Sequence, residues 1–224
     1  MRINDDLTKP VTVHSAALDW IPSPAPGVDR KMLFRIGEEK ARATSIVRYA
    51  PGSAFPPHTH TGGEEFVVLD GIFQDEHGDY PAGSYIRNPP GTSHMPASAG
   101  GCSIFVRLWQ FRAEDRDQTV RRPGEGRKDT PRPGAESALI LFDDGREQVR
   151  LEEWRAGAAV TVDNAEGLEF LVLKGTLIVN GERLERLAWG RLPAGTTLAA
   201  EAGADGAQVW MKRGPLMHAD VCAF

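Results

Sequence analysis

The sequence predicts an all-β protein built from two copies of one domain in tandem, and three observations lead there. Short apolar runs alternate throughout with Gly, Pro, Asn and Asp, the punctuation of strands and turns. No amphipathic stretch longer than about three helical turns survives the interruptions by β-branched residues and turn signals. Finally, EEFVVLDG at 64–71 returns as LEFLVLKG at 168–175, and the same offset carries PPGTSH at 89–94 onto PAGTTL at 193–198. Two matches at one offset make the chain a duplication.

Taken in order, the opening MRINDDLTKPVTVHSAALDW holds Asp5 and Asp6 where a secretory signal needs basic residues and then an apolar run, so a cytoplasmic protein is expected. KARATSIVRY, EEFVVLDGIF and CSIFVRLWQF read as strands of a first domain, residues 1–112. Residues 113–136, AEDRDQTVRRPGEGRKDTPRPGAE, are half charged, with Pro123, Pro131 and Pro133, and read as a solvated linker. ALILFDD, EQVRLEEW, LEFLVLKGTLIV and AQVWMK then supply the strands of a second domain, residues 137–224.

Composition narrows the function classes. The formal charge of -5 comes from acidic and basic residues mixed in both halves, so neither is built for nucleic acid. No apolar stretch approaches a membrane span. Cys102 and Cys222 stand alone, without CxxC spacing, and are expected as buried thiols. The five tryptophans (Trp20, Trp109, Trp154, Trp189 and Trp210) are expected in the cores, and His14, His77 and His218 in ordinary hydrogen bonds.

The chemistry is concentrated in HTHTGGEEF at 58–66. Residues two apart on a strand share a face, so His58 and His60 can aim at one point, Glu64 follows on the same parity after Gly62-Gly63, and His94 arrives after the Pro89-Pro90-Gly91 turn. Three imidazoles and a carboxylate suit zinc, iron, manganese, nickel or copper. The second copy separates the adjacent glutamates: Glu65 returns as Glu169, whereas Glu64 becomes Leu168. His58, His60 and His94 become Val162, Asn164 and Leu198. The four candidate ligands are lost as a set, with Asp163 left as a substitute for one of them.

The spacings Gly52, His58, His60, Glu64, Gly71 and Gly83, Pro89, Gly91, His94 resemble both signature motifs of the cupin superfamily, with Ser98 standing where the second motif usually has Asn. The resemblance implies two tandem cupin barrels, each a double-stranded β-helix or jelly roll. Over the first 112 residues, DWIPSPAPGVDRKML and RATSIVRYAPGSAFPPHTHTGGEEFVVLDG resemble the cupin-like domain of ChrR-type anti-sigma factors. That family implies zinc at the positions of His58, His60, Glu64 and His94 and a part in stress sensing. The sequence as given starts at the cupin region, without a preceding sigma-binding segment.

Two functions follow. One is a regulatory or sensory module with one divalent ion per chain, zinc expected first and iron, manganese or nickel also fitting, answering to a regulatory protein partner. The other is a dioxygenase resembling the acetylacetone-cleaving cupins, with iron(II) in a six-coordinate shell and a small-molecule ligand near Phe55, Phe66, Val68, Tyr85 and Arg87. Isomerases and metal-independent sugar binders form a third class. No nucleic acid and no membrane are expected as partners, and a homodimer is.

Overall fold

The computed structural model describes all 224 residues, and apart from one 3₁₀ turn at Ser15–Ala17 every regular element is a strand. No helix is long and apolar enough to cross a membrane. The chain divides into two compact units: residues 1–5, 19–124 and 217–224 form the first, and residues 6–18 and 125–216 the second.

In the first unit the main antiparallel order is Arg2–Ile3, Val28–Gly37, Ala41–Tyr49, Cys102–Leu108, Glu64–Asp75, Tyr85–Asn88 and Thr119–Arg121. Along residues 64–69 of the strand Glu64–Asp75 the side chains alternate between two buried faces. Phe66 and Val68 enter an apolar core with Phe73, Tyr80, Ile86, Cys102, Ile104 and Val106. Glu64 shares their parity and Glu65 does not.

The second unit repeats the plan, in the order Arg127–Lys128, Ala135–Asp143, Gln148–Trp154, Leu198–Arg213, Gly167–Val179, Ala188–Pro193 and Val11–His14. An Asn180-Gly181 turn, φ +51° and +81°, closes the hairpin from Gly167–Val179 to Glu182–Leu184 with the backbone twist that two-residue loops require. The duplication is visible in the register. Tyr85 faces Val67 and Arg87 faces Glu65; 104 residues on, Trp189 faces Leu171 and Arg191 faces Glu169.

The division differs from the sequence-based boundaries in three places, each for want of a backbone partner. Val11–His14 pairs with Ala188–Pro193 and so belongs to the second unit. The carboxy-terminal residues return to the first, where Val221 bridges Arg112 and the Cys222 N–H donates to the Phe111 carbonyl at 2.9 Å. Residues 113–136 are not a free linker: Thr119–Arg121 and Arg127–Lys128 are edge strands, whose charged side chains suit an edge. Asp115 is buried against Arg87, with contacts of 2.6 and 2.8 Å.

Candidate metal centre

The site is assembled by a short ladder and a constrained turn. Strands His58–Thr59 and Ser93–His94 pair so that His58 and His94 are direct partners. His60 lies two residues beyond His58, its N–H held by the Thr92 carbonyl at 2.8 Å. The chain then turns beneath two aromatic rings. A Cβ on Gly62 would fall 2.1 Å from the Trp109 ring, and Gly63, at φ +77°, leaves the Phe111 ring only 2.4 Å from where its Cβ would be. The glycine pair is therefore required, and it delivers Glu64 to the first position of its long strand.

Ligand atoms of His58, His60 and His94 all lie within 4.8 Å of one another. His60 Nε2 and His94 Nε2 are 3.2 Å apart, and Glu64 Oε2 stands 3.2 Å from the first and 3.5 Å from the second. Donors about 2.1 Å from a common ion sit about 3.0 Å apart at right angles and about 3.4 Å apart at tetrahedral angles. The spacing fits a metal.

Proton positions argue the same way. Thr92 has one hydroxyl proton and gives it to the Pro89 carbonyl at 2.7 Å, so the 3.0 Å contact with His60 Nδ1 must be a bond that the imidazole donates. A neutral His60 then presents a lone pair at Nε2. His94 turns Nδ1 toward Asp75 Oδ2 at 3.4 Å, which favours the same tautomer. Glu64 Oε2 is buried without a hydrogen bond. Three donor atoms thus converge, and a cation between them would satisfy all three.

The electrostatics act differently on each donor. Burial alone would raise the Glu64 carboxyl, but attraction to His60, His94 and His58 more than offsets it and holds the group below the usual carboxylate range. Partial burial pushes the His58 imidazole down, against the pull of Glu64. Burial opposes charge on His94, yet Asp75 and Glu64 raise it above its ordinary value. Tyr80 donates to Asp75 Oδ1 at 3.1 Å, its own ionisation pushed up to about 12 by burial and the Asp75 charge.

A cavity of about 340 Å³ adjoins the cluster, lined by His58 and Glu64 together with Tyr49, Phe55, Val47, Ile104 and Val106, and by Arg30 and Arg35. Of the five residues expected around a substrate, Phe55 alone lines it. Phe66 and Val68 lie in the core. Tyr85 and Arg87 point the other way: Tyr85 donates to Glu65 at 2.6 Å, Arg107 holds the same carboxylate at 2.7 Å, and Arg87 holds Asp115. Glu65 is therefore committed to structure.

Sequence reasoning missed Asp75, Thr92, Tyr49 and the two arginines. Thr92 sits inside the PPGTSH block and had a signal; the others are placed by the sheet. Outside the site, His14 pairs with Glu182 at 2.6 Å, His77 is exposed and His218 is buried. Trp154, Trp189 and Trp210 are core residues, whereas Trp20 and Trp109 are half-buried, with Lys31 and Lys40 ammonium groups 5.0 and 4.9 Å from their ring centres. Both cysteines are buried free thiols, pushed up by burial. In the second unit Asp163 is exposed, on the opposite parity from Val162 and Asn164.

Residues 8–112 match the family model of the ChrR Cupin-like domain. No curated protein matches the chain in sequence. Among solved structures, a candidate dioxygenase from Nostoc punctiforme is 15% identical with a TM-score of 0.73, the match covering 97% of this chain and 87% of that one. The pirin YhhW of Escherichia coli, in complex with nickel(II), is 14% identical at a TM-score of 0.66, over 93% and 100% of the two chains. Oxalate decarboxylase of Bacillus subtilis, a protein with Mn(II) centres, is 13% identical at 0.62, over 94% and 78%. Residues 8–112 thus match the ChrR Cupin-like domain, and the two barrels in one register share the fold of these solved structures, the first carrying a three-histidine cluster that can hold a metal ion.

Proposed function

We propose that the first barrel holds one divalent ion through His58, His60, Glu64 and His94 and uses it on a small organic molecule in the adjoining cavity, as a metal-dependent dioxygenase of the cupin type. One observation carries this reading: the cavity reaches His58 and Glu64 themselves, so the cluster faces space for a ligand and is not sealed by protein. A bound redox-active ion such as iron(II) would supply dioxygen activation, with positions beyond the four protein donors open to substrate.

The chain's own residues have separable tasks. His60 presents Nε2 because Thr92 holds its other nitrogen, and the Asp75 carboxylate 3.4 Å from His94 Nδ1 orients that ring electrostatically. Tyr49 keeps its proton, since burial, the Glu64 charge and Cys102 all raise its ionisation, so it is a neutral donor at the cavity wall. Phe55, Val47, Ile104 and Val106 exclude water from the bound molecule. The nickel and manganese of two structural relatives support a transition-metal centre without choosing the metal.

The test is metal analysis of protein purified without added metal, with oxygen uptake on β-diketones and related enolisable compounds. Near-stoichiometric iron with turnover is the expected outcome. Zinc at one per chain with no oxygen consumption would instead favour the second reading, a regulatory module in which the centre reports a ligand or oxidant to a protein partner. The match of residues 8–112 to the ChrR domain supports that alternative.

A further inference from the structure

The metal donors are not the only charged groups on the cavity. Arg30 and Arg35, from the strand Val28–Gly37, line it as well. Arg35 is 4% exposed, and its bonds go to the main-chain carbonyls of Glu38 and Glu39, with no carboxylate in ion-pair contact. The Glu38 carboxylate is taken by the amino-terminal ammonium. Glu39 sits on Arg30, at 2.9 and 3.1 Å, from an exposed position, while Arg30 Nε stays buried and unbonded. A guanidinium withdrawn from water without a counter-ion is costly, and here a second one stands on the same cavity. Burial and the charge of Arg30 lower Arg35 from its ordinary value, against the weaker pull of the Glu39 and Glu38 carboxylates.

The second unit supplies a control. Arg30 faces Val47, two residues before Tyr49; at the equivalent place Ala138 faces Glu152, two residues before Trp154. Arg35 faces Ala43 and its counterpart, Asp143, faces Gln148. Tyr49 and Trp154 are themselves equivalent, pairing with Cys102 and Ala207 in the matching ladders. Both arginines are therefore absent where the metal donors are absent. They belong with the centre.

We infer that the cavity takes a small organic carboxylate, its anionic group held by Arg35 and Arg30 and its apolar body against Val47, Phe55, Ile104 and Val106, beside His58 and Glu64. The volume admits a molecule of about a dozen heavy atoms. The fork of Arg35 matches a carboxylate in a way an ammonium would not. This deepens the small-molecule reading of the same centre and rests on it.

Calorimetric titration of the zinc-loaded full chain tests it, with 3-methylbutanoate against its methyl ester and amide, and inorganic phosphate as a second anion. The carboxylate is expected to bind at least tenfold tighter than the ester or amide and tighter than phosphate. Arg35→Gln is expected to remove that preference without changing metal content, and Arg35→Lys to restore part of it. Because Arg35 is buried, the exposed Glu39→Gln provides a variant that does not depend on refolding a core: freeing Arg30 from its partner is expected to tighten carboxylate binding several-fold. Equal binding of acid and ester, a preference for phosphate, or a carboxylate affinity unmoved by both Arg35→Gln and Glu39→Gln would overturn the inference. Failure of the metal reading looks different, as a protein that retains no ion yet still prefers the acid through Arg35.

Discussion

The two barrels share a register and differ in what fills it. His58 faces His94 in the first; at the same rungs Val162 faces Leu198 in the second. Glu64 opens one long strand, and Leu168 stands second on the other, where with Val162 and Leu198 it joins a continuous apolar core. Asn164 replaces His60 and donates to the carbonyls of Leu192, Pro193 and Thr196, stapling the turn that Thr92 and His60 shape in the first barrel. Asp75 gives way to Val179. Meanwhile the buried carboxylate beside the site is kept: Glu65 accepts from Tyr85, and Glu169 from Trp189 at 2.7 Å. Strand pairing and that carboxylate hold the barrel, while the interior rim is exchangeable between polar donors and hydrocarbon, each buried apolar side chain contributing about 1.5–3 kcal/mol.

The largest effect should come from making the barrels alike. With His58→Val, His60→Asn, Glu64→Leu and His94→Leu together, the first barrel is expected to lose stoichiometric metal while keeping its strand content, read by metal analysis and far-ultraviolet circular dichroism. Chelation should then lower the melting temperature of the wild type and leave the variant unmoved; at a thousandfold excess over Kd the ion contributes about 4 kcal/mol.

Separating the adjacent glutamates sharpens the same comparison. Glu65→Ala should cost about 3–5 kcal/mol by leaving Arg107 buried without its partner, with metal retained. Glu169→Ala should be milder in the second barrel, where that carboxylate accepts from the Trp189 N–H and Lys212 pairs with Glu147. Glu64→Ala should show the reverse, a loss of metal with a smaller change in denaturant midpoint. Equal behaviour of Glu64→Ala and Glu65→Ala in both assays would break the assignment.

Smaller effects are expected behind the donors. Asp75→Asn should weaken metal affinity roughly 10- to 100-fold in a competition titration, because His94 loses the carboxylate that orients it. Thr92→Val should cost only about 1 kcal/mol, several-fold in affinity, by removing the acceptor at His60 Nδ1. Thr196→Val, the same change in the other barrel, should leave metal binding untouched.

Much of this was legible in the sequence because period and spacing encode it. The parity of His58, His60 and Glu64 follows from a strand's two-residue repeat, and the duplication distinguished Glu64 from Glu65 without coordinates. Parity does not say which face is inside, so the direction of Tyr85 and Arg87 is not legible in the sequence. They lie opposite Val67 and Glu65, and cross-strand partners point to the same side, so both follow Glu65 away from the cavity. Arg30, Arg35 and Asp75 could not be found locally. Strand neighbours that are distant in the chain bring them to the site.

The strand Val11–His14 also governs the order in which the molecule can form. It is translated before most of the first barrel, yet its hydrogen-bonding partner, Ala188–Pro193, comes well after that barrel's main sheet. Until Ala188–Pro193 is made the second barrel lacks that pairing, and a contact so distant along the chain is slow to close. Val11–His14 must therefore wait while most of the first barrel is translated, and ribosome stalling before Ala188 would leave that strand without its partner.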